Sequence, residues 1–177
     1  MPTTVELAKQ LNTDPRNVLI HINTAVERGV SLAGWIEYLK SLPAVKDIAE
    51  QLGVTENTAV RKFRKWASLN GVKPEHYVYY EEKRFMYKGE LKRAVFMVYK
   101  APPEFVEWLK NWKTLISWPS IRRVSQMLKL PYGLVKAEFE AWCDRRKEDM
   151  EKYLYNKTFH LPPEFVEYLR NKYGVGR

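Results

Sequence analysis

Apolar residues in KDIAEQLGVTENTAVRKFRKW, Lys46 to Trp66, fall into two short helical stripes with a sharp break between them. Ile48 and Leu52 lie one turn apart, and Ala59, Phe63 and Trp66 recur at i, i+4 and i+7, so each set shares a helix face. Ala49 is small where a second helix must approach closely. Gly53 permits a left-handed turn, Val54 plugs the corner and Thr55 can cap the second helix. Together these positions make the helix-turn-helix pattern.

The pattern is written three times. Adding 76 maps Val45 on Ile121, Ile48 on Val124, Ala49 on Ser125, Leu52 on Leu128, Val54 on Leu130, Phe63 on Phe139 and Trp66 on Trp142 without a gap. In that copy Pro131 begins the second helix and Lys129 stands where the turn glycine was. Subtracting 41 puts Leu7 on Ile48, Ala8 on Ala49, Leu11 on Leu52 and Asn12 on Gly53. Asp14-Pro15 then reads as a cap and a first helical position, with Val18, Ile22 and Ala25 on the core face. Each copy is followed by an aromatic helix: WIEYLK from Trp35, PPEFVEWLKNW from Pro102 and PPEFVEYLRNK from Pro162. Phe105, Trp108, Leu109 and Trp112 share a face, as expected of a third helix that closes a small core. The expected fold is mainly α: three tandem helix-turn-helix units over residues 1–40, 41–113 and 114–177, with β-hairpin linkers or wings.

The hairpins are read from composition. HYVYYEEKRFMYKGELKRAVFMVYK, His76 to Lys100, is rich in Tyr, Val and Phe, with Lys88-Gly89-Glu90 as its turn. KYLYNKTFHL, Lys152 to Leu161, is a shorter counterpart turning near Asn156-Lys157. A hairpin after the second helix takes the wing position of winged-helix proteins. Its Lys83, Arg84, Lys88, Lys92 and Arg93 could meet phosphates or a minor groove. Aromatic strands also occur in RNA-binding sheets, but the RNP patterns are missing.

Charge narrows the partner. The 177 residues carry a formal net charge of +9, which suits a polyanion or an anionic surface. Basic and acidic residues number four and four over 1–40, fourteen and nine over 41–113, and twelve and eight over 114–177. The second and third units should therefore supply most phosphate affinity. Cys143 is the one cysteine, which excludes an internal disulfide or a cysteine zinc cluster, and three histidines leave little for a metal site. No cofactor is expected. No apolar run approaches the roughly 18 residues of a membrane span, and MPTTVELAKQ lacks the pattern of a signal peptide. The expected location is cytoplasmic and nucleoid-associated.

In a helix-turn-helix the second helix enters the major groove and its N-terminal residues meet base edges. In the second unit these are Thr55, Glu56, Asn57, Thr58, Arg61 and Arg64, with Lys62 and Lys65 flanking toward phosphates. Arg can bond guanine bidentately, Asn adenine, and Glu can accept from cytosine. The third unit offers Tyr132, Gly133 and Lys136, with Arg145 and Arg146 at the helix end and Arg122 and Arg123 on the preceding helix as phosphate contacts. The first offers Arg16, Asn17, Ile20, His21 and Asn23. Three non-identical heads in one chain suit a monomer reading an asymmetric duplex site on the order of 20–30 bp.

Three such motifs, at Leu7–Ala25, Ile48–Trp66 and Val124–Trp142 of a small basic chain, resemble the archaeal CRISPR repeat-binding proteins. The resemblance is one of architecture. It implies a repeat-DNA ligand and an influence on transcription through the array. The charged, Tyr-rich, Cys-poor composition fits a thermophilic source, and neighbouring chromatin or transcription proteins are expected as further partners. A promoter- or origin-binding regulator of an archaeal genome, virus or plasmid is the nearest rival. An enzyme is not expected, because the only dense acids, Glu81-Glu82 and Glu148-Asp149-Glu151, read as charged linker surface. A scaffold that uses the aromatic helices to bind protein is the third class.

Overall fold

The computed structural model describes residues 1–175. The chain is mainly helical, with two small antiparallel hairpins. In chain order the elements are α1 (Thr4–Gln10), α2 (Pro15–Arg28), α3 (Leu32–Ser41), α4 (Val45–Leu52), α5 (Glu56–Leu69), β1 (Val78–Tyr87), β2 (Glu90–Tyr99), α6 (Pro103–Ser117), α7 (Ile121–Leu128), α8 (Tyr132–Arg145), β3 (Leu154–Tyr155), β4 (Thr158–Phe159) and α9 (Pro163–Tyr173). Two compact units result, residues 1–109 and the residues from Lys110 onward. The division falls within α6, not at 40 and 113 as the sequence limits had it, because the first two helix pairs are packed into one unit.

Each helix pair turns through one left-handed residue: Asn12 (φ 51°), Gly53 (φ 68°) and Lys129 (φ 54°). The next residue's N–H closes the turn on the first helix, from Thr13 to the Ala8 carbonyl (3.0 Å), Val54 to Ala49 (2.9 Å) and Leu130 to Ser125 (3.1 Å). Asp14 and Thr55 cap the following helices with their side chains. Glycine is free of the Cβ penalty in this conformation and lysine is not. Lys129 therefore holds the turn at a cost that Gly53 avoids.

Two cores repeat one plan. Phe63 of α5 is fully buried between Phe105 of α6 (5.1 Å between ring centroids) and Tyr77 (6.0 Å). Phe139 of α8 is buried in the same way between Phe165 of α9 (4.9 Å) and Tyr153 (5.4 Å). Both hairpins end in the same backbone node. Lys100 N–H donates to the Tyr77 carbonyl and Ala101 N–H to Pro43, each at 2.8 Å; His160 and Leu161 make the matching bonds to Tyr153 and Pro119, also at 2.8 Å. The PPEFVE segments are indeed closing helices, with Phe105, Leu109, Phe165 and Leu169 fully buried. Trp112, expected on that face, is only half-buried and stands edge-on to Tyr155.

The first copy departs from the plan. It has no hairpin of its own, and α3 follows α2 almost directly. Strand β1 pairs with β2 on one side only, so its outward backbone groups need other partners. Helix α2 supplies them. Asn17 accepts from the Tyr80 N–H (2.7 Å) and donates to the Tyr80 carbonyl (3.0 Å) and to Thr13 Oγ1 (2.9 Å). The His21 Nε2–H donates to the Val78 carbonyl (2.6 Å). To make these bonds α2 buries Asn17, His21 and Thr24 beside Val18 and Ala25. That face lies 42 residues before Ala59, Phe63, Trp66 and Ala67, whereas the caps Asp14 and Thr55 lie 41 apart. The one-residue roll turns Ile22, expected in the core, out to solvent.

Replacing Asn17 with alanine should destabilise the protein by about 2–4 kcal/mol in chemical denaturation, since it orphans both backbone groups of Tyr80. Unchanged stability, with Tyr80 still slow in amide exchange, would contradict this account of the strand edge. Lys129→Gly should instead stabilise by about 0.5–1 kcal/mol by relieving the left-handed turn; a lower melting temperature would contradict it.

Candidate nucleic-acid interface

The second helices α2, α5 and α8 present three chemically different outward faces. On α5, Asn57, Arg61, Arg64 and Ser68 recur at helical spacing and are all exposed, opposite Ala59, Phe63 and Trp66. The equivalent stripe of α8 is Gly133, Ala137, Glu140 and Asp144, small and then acidic. On α2, with its roll included, it is Leu19, Ile22 and Val26, all exposed and apolar. One scaffold thus carries a basic, an acidic and a hydrophobic face.

The α5 residues expected at the interface stay together. Thr55 spends its hydroxyl on the cap, accepting from the Thr58 N–H (3.2 Å), and Thr58 in turn receives Arg61 Nη2 at 3.5 Å. Arg64 lies 5.9 Å from the Tyr99 ring centre, which steadies it without covering it. Lys65 is exposed and Lys62 half-buried. Burial, then Lys65 and Arg61, lower the Lys62 pKa, a sign that positive charge is crowded on this helix. Glu56 lines a groove of about 460 Å³ with Lys46 and Lys83. The ammonium groups of Lys46 and Lys83 face each other there, and this contact lowers the Lys46 pKa more than its burial does.

In the second unit, Arg122 and Arg123 are exposed in the first turn of α7. Arg122, Tyr132 and Lys157 line one groove of about 400 Å³, which brings the start of α8 beside the short hairpin. Lys136 and Gly133 are exposed. A Cβ on Gly133 would meet nothing within 4 Å and its φ is not positive, so the fold itself does not require glycine there. Arg145 and Arg146 lie at the far end of α8, about 20 Å from its start. Both are engaged locally: Arg145 stacks on Tyr168 (5.2 Å) and donates to its hydroxyl (3.0 Å), and Arg146 covers Trp142 (4.3 Å) and pairs with Glu148 (3.1 Å).

The first pair gives the clearest correction. Asn17 and His21, read from the sequence as base contacts, are fully buried and bonded to β1, so neither can reach a base edge. Arg16 is exposed but paired with Asp14 at 3.3 Å, Ile20 is half-buried, and Asn23 is exposed.

What sequence reasoning underrated is the long hairpin. Strands β1 and β2 pair over ten positions, from Val78 with Tyr99 to Tyr87 with Glu90, around the two-residue turn Lys88-Gly89. Lys88 (φ 50°) and Gly89 (φ 78°) both take the left-handed conformation of a tight twisted hairpin. Near its base the hairpin lines two grooves, one with the α1–α2 turn (Asn12 to Pro15) and one with the α4–α5 turn. The ribbon therefore leaves the body between the starts of α2 and α5, and beyond Glu82 and Val95 its residues are exposed, apart from half-buried Ala94.

Among the described residues, no group of three or more His, Cys, Asp or Glu could hold a metal ion, and no helix is long and apolar enough to cross a membrane. Comparison with known protein families, curated proteins and solved structures finds no match to this chain.

His21 makes the first pair sensitive to pH. A carbonyl only accepts, so Nε2 carries the proton toward Val78, and Nδ1 accepts from Thr24 (3.2 Å). Burial foremost, and the nearby His76, lower its pKa against the raising effect of the Val78 bond. Its neutral form is thus favoured when folded, and the stability it supports is complete above the usual histidine pKa of about 6.5 and lost as pH falls below it. Urea denaturation at pH 7.5 and 5.5 should show wild type losing more stability than His21→Gln over this interval. Equal losses would contradict the assignment.

Proposed function

We propose that the chain binds double-stranded DNA sequence-specifically through three tandem helix-turn-helix units, with α5 as the principal reading helix. The observation that carries this reading is the exposed row of Asn57, Arg61 and Arg64 on α5, opposite its core face and starting just after a tight turn. Arg61 and Arg64 suit guanine and Asn57 adenine, while Lys62 and Lys65 lie at the sides where phosphates run. In the third helix-turn-helix unit, Arg122 and Arg123 take phosphates, and bare Gly133 lets the backbone of α8 come close to the duplex. Glu140 and Asp144 oppose anions further along that helix, so α8 ranks below α5 in affinity. The neutral, apolar outer face of α2 has no phosphate role.

Three unlike faces on one chain make the preferred site long and asymmetric, and the protein binds it as a monomer without a catalytic step. Following the architectural resemblance, the target is CRISPR repeat DNA and the effect is on transcription of the array. Genomic footprints at evenly spaced repeats support this target; footprints at promoters or an origin replace it with a regulator of the ordinary kind.

Selection from a random duplex pool should yield one extended asymmetric motif. Arg61→Ala and Arg64→Ala should each weaken binding to it about 5- to 150-fold and relax one base position, whereas Arg145→Ala should stay within about twofold. No enrichment from the pool, or full affinity in both α5 variants, would overturn the reading.

A further inference from the structure

The long hairpin has more surface than the fold uses. At its base Tyr79 and Val98 are buried and Lys100 is pinned by the Leu42 carbonyl (3.0 Å) and Glu81 (2.9 Å). Farther out, Met86, Leu91 and Tyr87 at the tip are 65%, 61% and 55% exposed. Apolar side chains at the end of a solvent-exposed ribbon add nothing to the buried core.

The register sorts what the ribbon presents. Asn17 takes both backbone groups of Tyr80, so the even-numbered residues of β1 direct theirs away from β2. Their cross-strand pairs are then the non-hydrogen-bonded kind, whose side chains stand closest. Two successive pairs of this kind share one face near the tip: Arg84 with Arg93, then Met86 with Leu91. Like charges directly opposite each other destabilise a hairpin. Glu82 relieves Arg93 at 3.4 Å, but between Lys83 and Arg93 the ribbon still has five basic residues against one acidic, Glu90. Positive charge beside an apolar tip suits a polyanion with an apolar interior, and stacked bases inside a phosphate backbone are that.

Reach agrees with this partner. From Lys83 to the turn is about five residues, or about 17 Å at the rise of a strand. Half a turn of duplex, the distance from a major groove to the neighbouring minor groove, is about five base pairs at 3.4 Å, also about 17 Å. The ribbon starts beside the beginning of α5, so a duplex with α5 in its major groove offers its minor groove to the tip.

We propose, on the duplex-binding reading above, that the β1–β2 ribbon is a minor-groove wedge. Arg84 and Arg93 hold the flanking phosphates, and Met86 and Leu91 enter between base pairs, unstack one step and bend the DNA away from that groove. Flexible pyrimidine–purine steps are the preferred point of entry.

The test uses the full chain and a mixed-sequence 30-bp duplex with a central TA step, donor- and acceptor-labelled at its ends, in low salt. Wild type should bring the ends together, consistent with a bend on the order of 40–90°. Met86→Ser with Leu91→Ser should bind within about fivefold of wild type yet lose more than half of that bend, with an unchanged melting temperature. Arg84→Ala with Arg93→Ala should weaken binding more than tenfold and flatten its salt dependence. Tight binding with no bend, or a bend that survives the serine variant, overturns the wedge and leaves duplex recognition standing. No binding to any duplex overturns both. Without DNA, a wild-type dimer that the serine variant makes monomeric, or capture by anionic vesicles that this variant abolishes, also overturns the wedge and reassigns the tip to self-association or a membrane surface.

Discussion

A two-stranded ribbon has two open edges, and the inner part of one of them governs how the first 109 residues are assembled. The outward groups are buried at Val78 and half-buried at Tyr80, and leaving them unpaired would cost about 1–3 kcal/mol each, less where water reaches. They are satisfied by Asn17 and His21, more than fifty residues earlier in the chain. The consequence is topological. The hairpin that follows α5 becomes the hairpin of the first helix pair as well, which joins two copies into one unit and fixes the exit of the ribbon between α2 and α5. A polar core face on α2 is the condition for this, and the exposed apolar stripe on its other side is a result of the same roll.

The second and third helix pairs, by contrast, differ least where they pack and most where they face outward. Phe63 and Phe139 occupy one position, Ala67 and Cys143 another, and all four are buried. Arg61 and Arg64 face solvent where α8 has Ala137 and Glu140. A duplicated scaffold keeps the contacts that hold it together, because changing core volume is felt at once. The outer faces are under no such constraint, so the difference between them reports what each face meets.

Much of the architecture was legible in the sequence because its determinants are local. The left-handed turns at Asn12, Gly53 and Lys129, the hairpin turns at Lys88-Gly89 and Asn156-Lys157, and the burial of Phe105 and Phe165 each follow from residues a few positions apart. The candidate site was less legible. Asn17 and His21 looked like reading-head residues because Asp14-Pro15 set the helix start correctly, and the offset of 41 was carried past the cap into a face that obeys 42. The signal was present all the same: Asn17, His21 and Thr24 lie at i, i+4 and i+7, sharing a face with Val18 and Ala25. What it lacked was a partner, since the strand that satisfies them is remote in sequence and no local pattern connects the two.

The two hairpins allow a control that nature has already run. Both close with the same pair of 2.8 Å backbone bonds onto a 3-10 turn and the linker before a helix pair. Tyr77 and Lys100 are 23 residues apart, Tyr153 and His160 only seven, so the node and the aromatic core behind it form with sixteen residues fewer. The β3–β4 strands, at two residues each, show how little ribbon the fold needs. The inner part of the additional length serves the contact with α2, but beyond Glu82 and Val95 the ribbon carries a cost in ordered backbone that the core does not offset, and its apolar tip adds an exposed liability. On the wedge proposed above, a duplex takes up that surface, and the cross-strand pair Arg84 and Arg93 suits the close spacing of its phosphates.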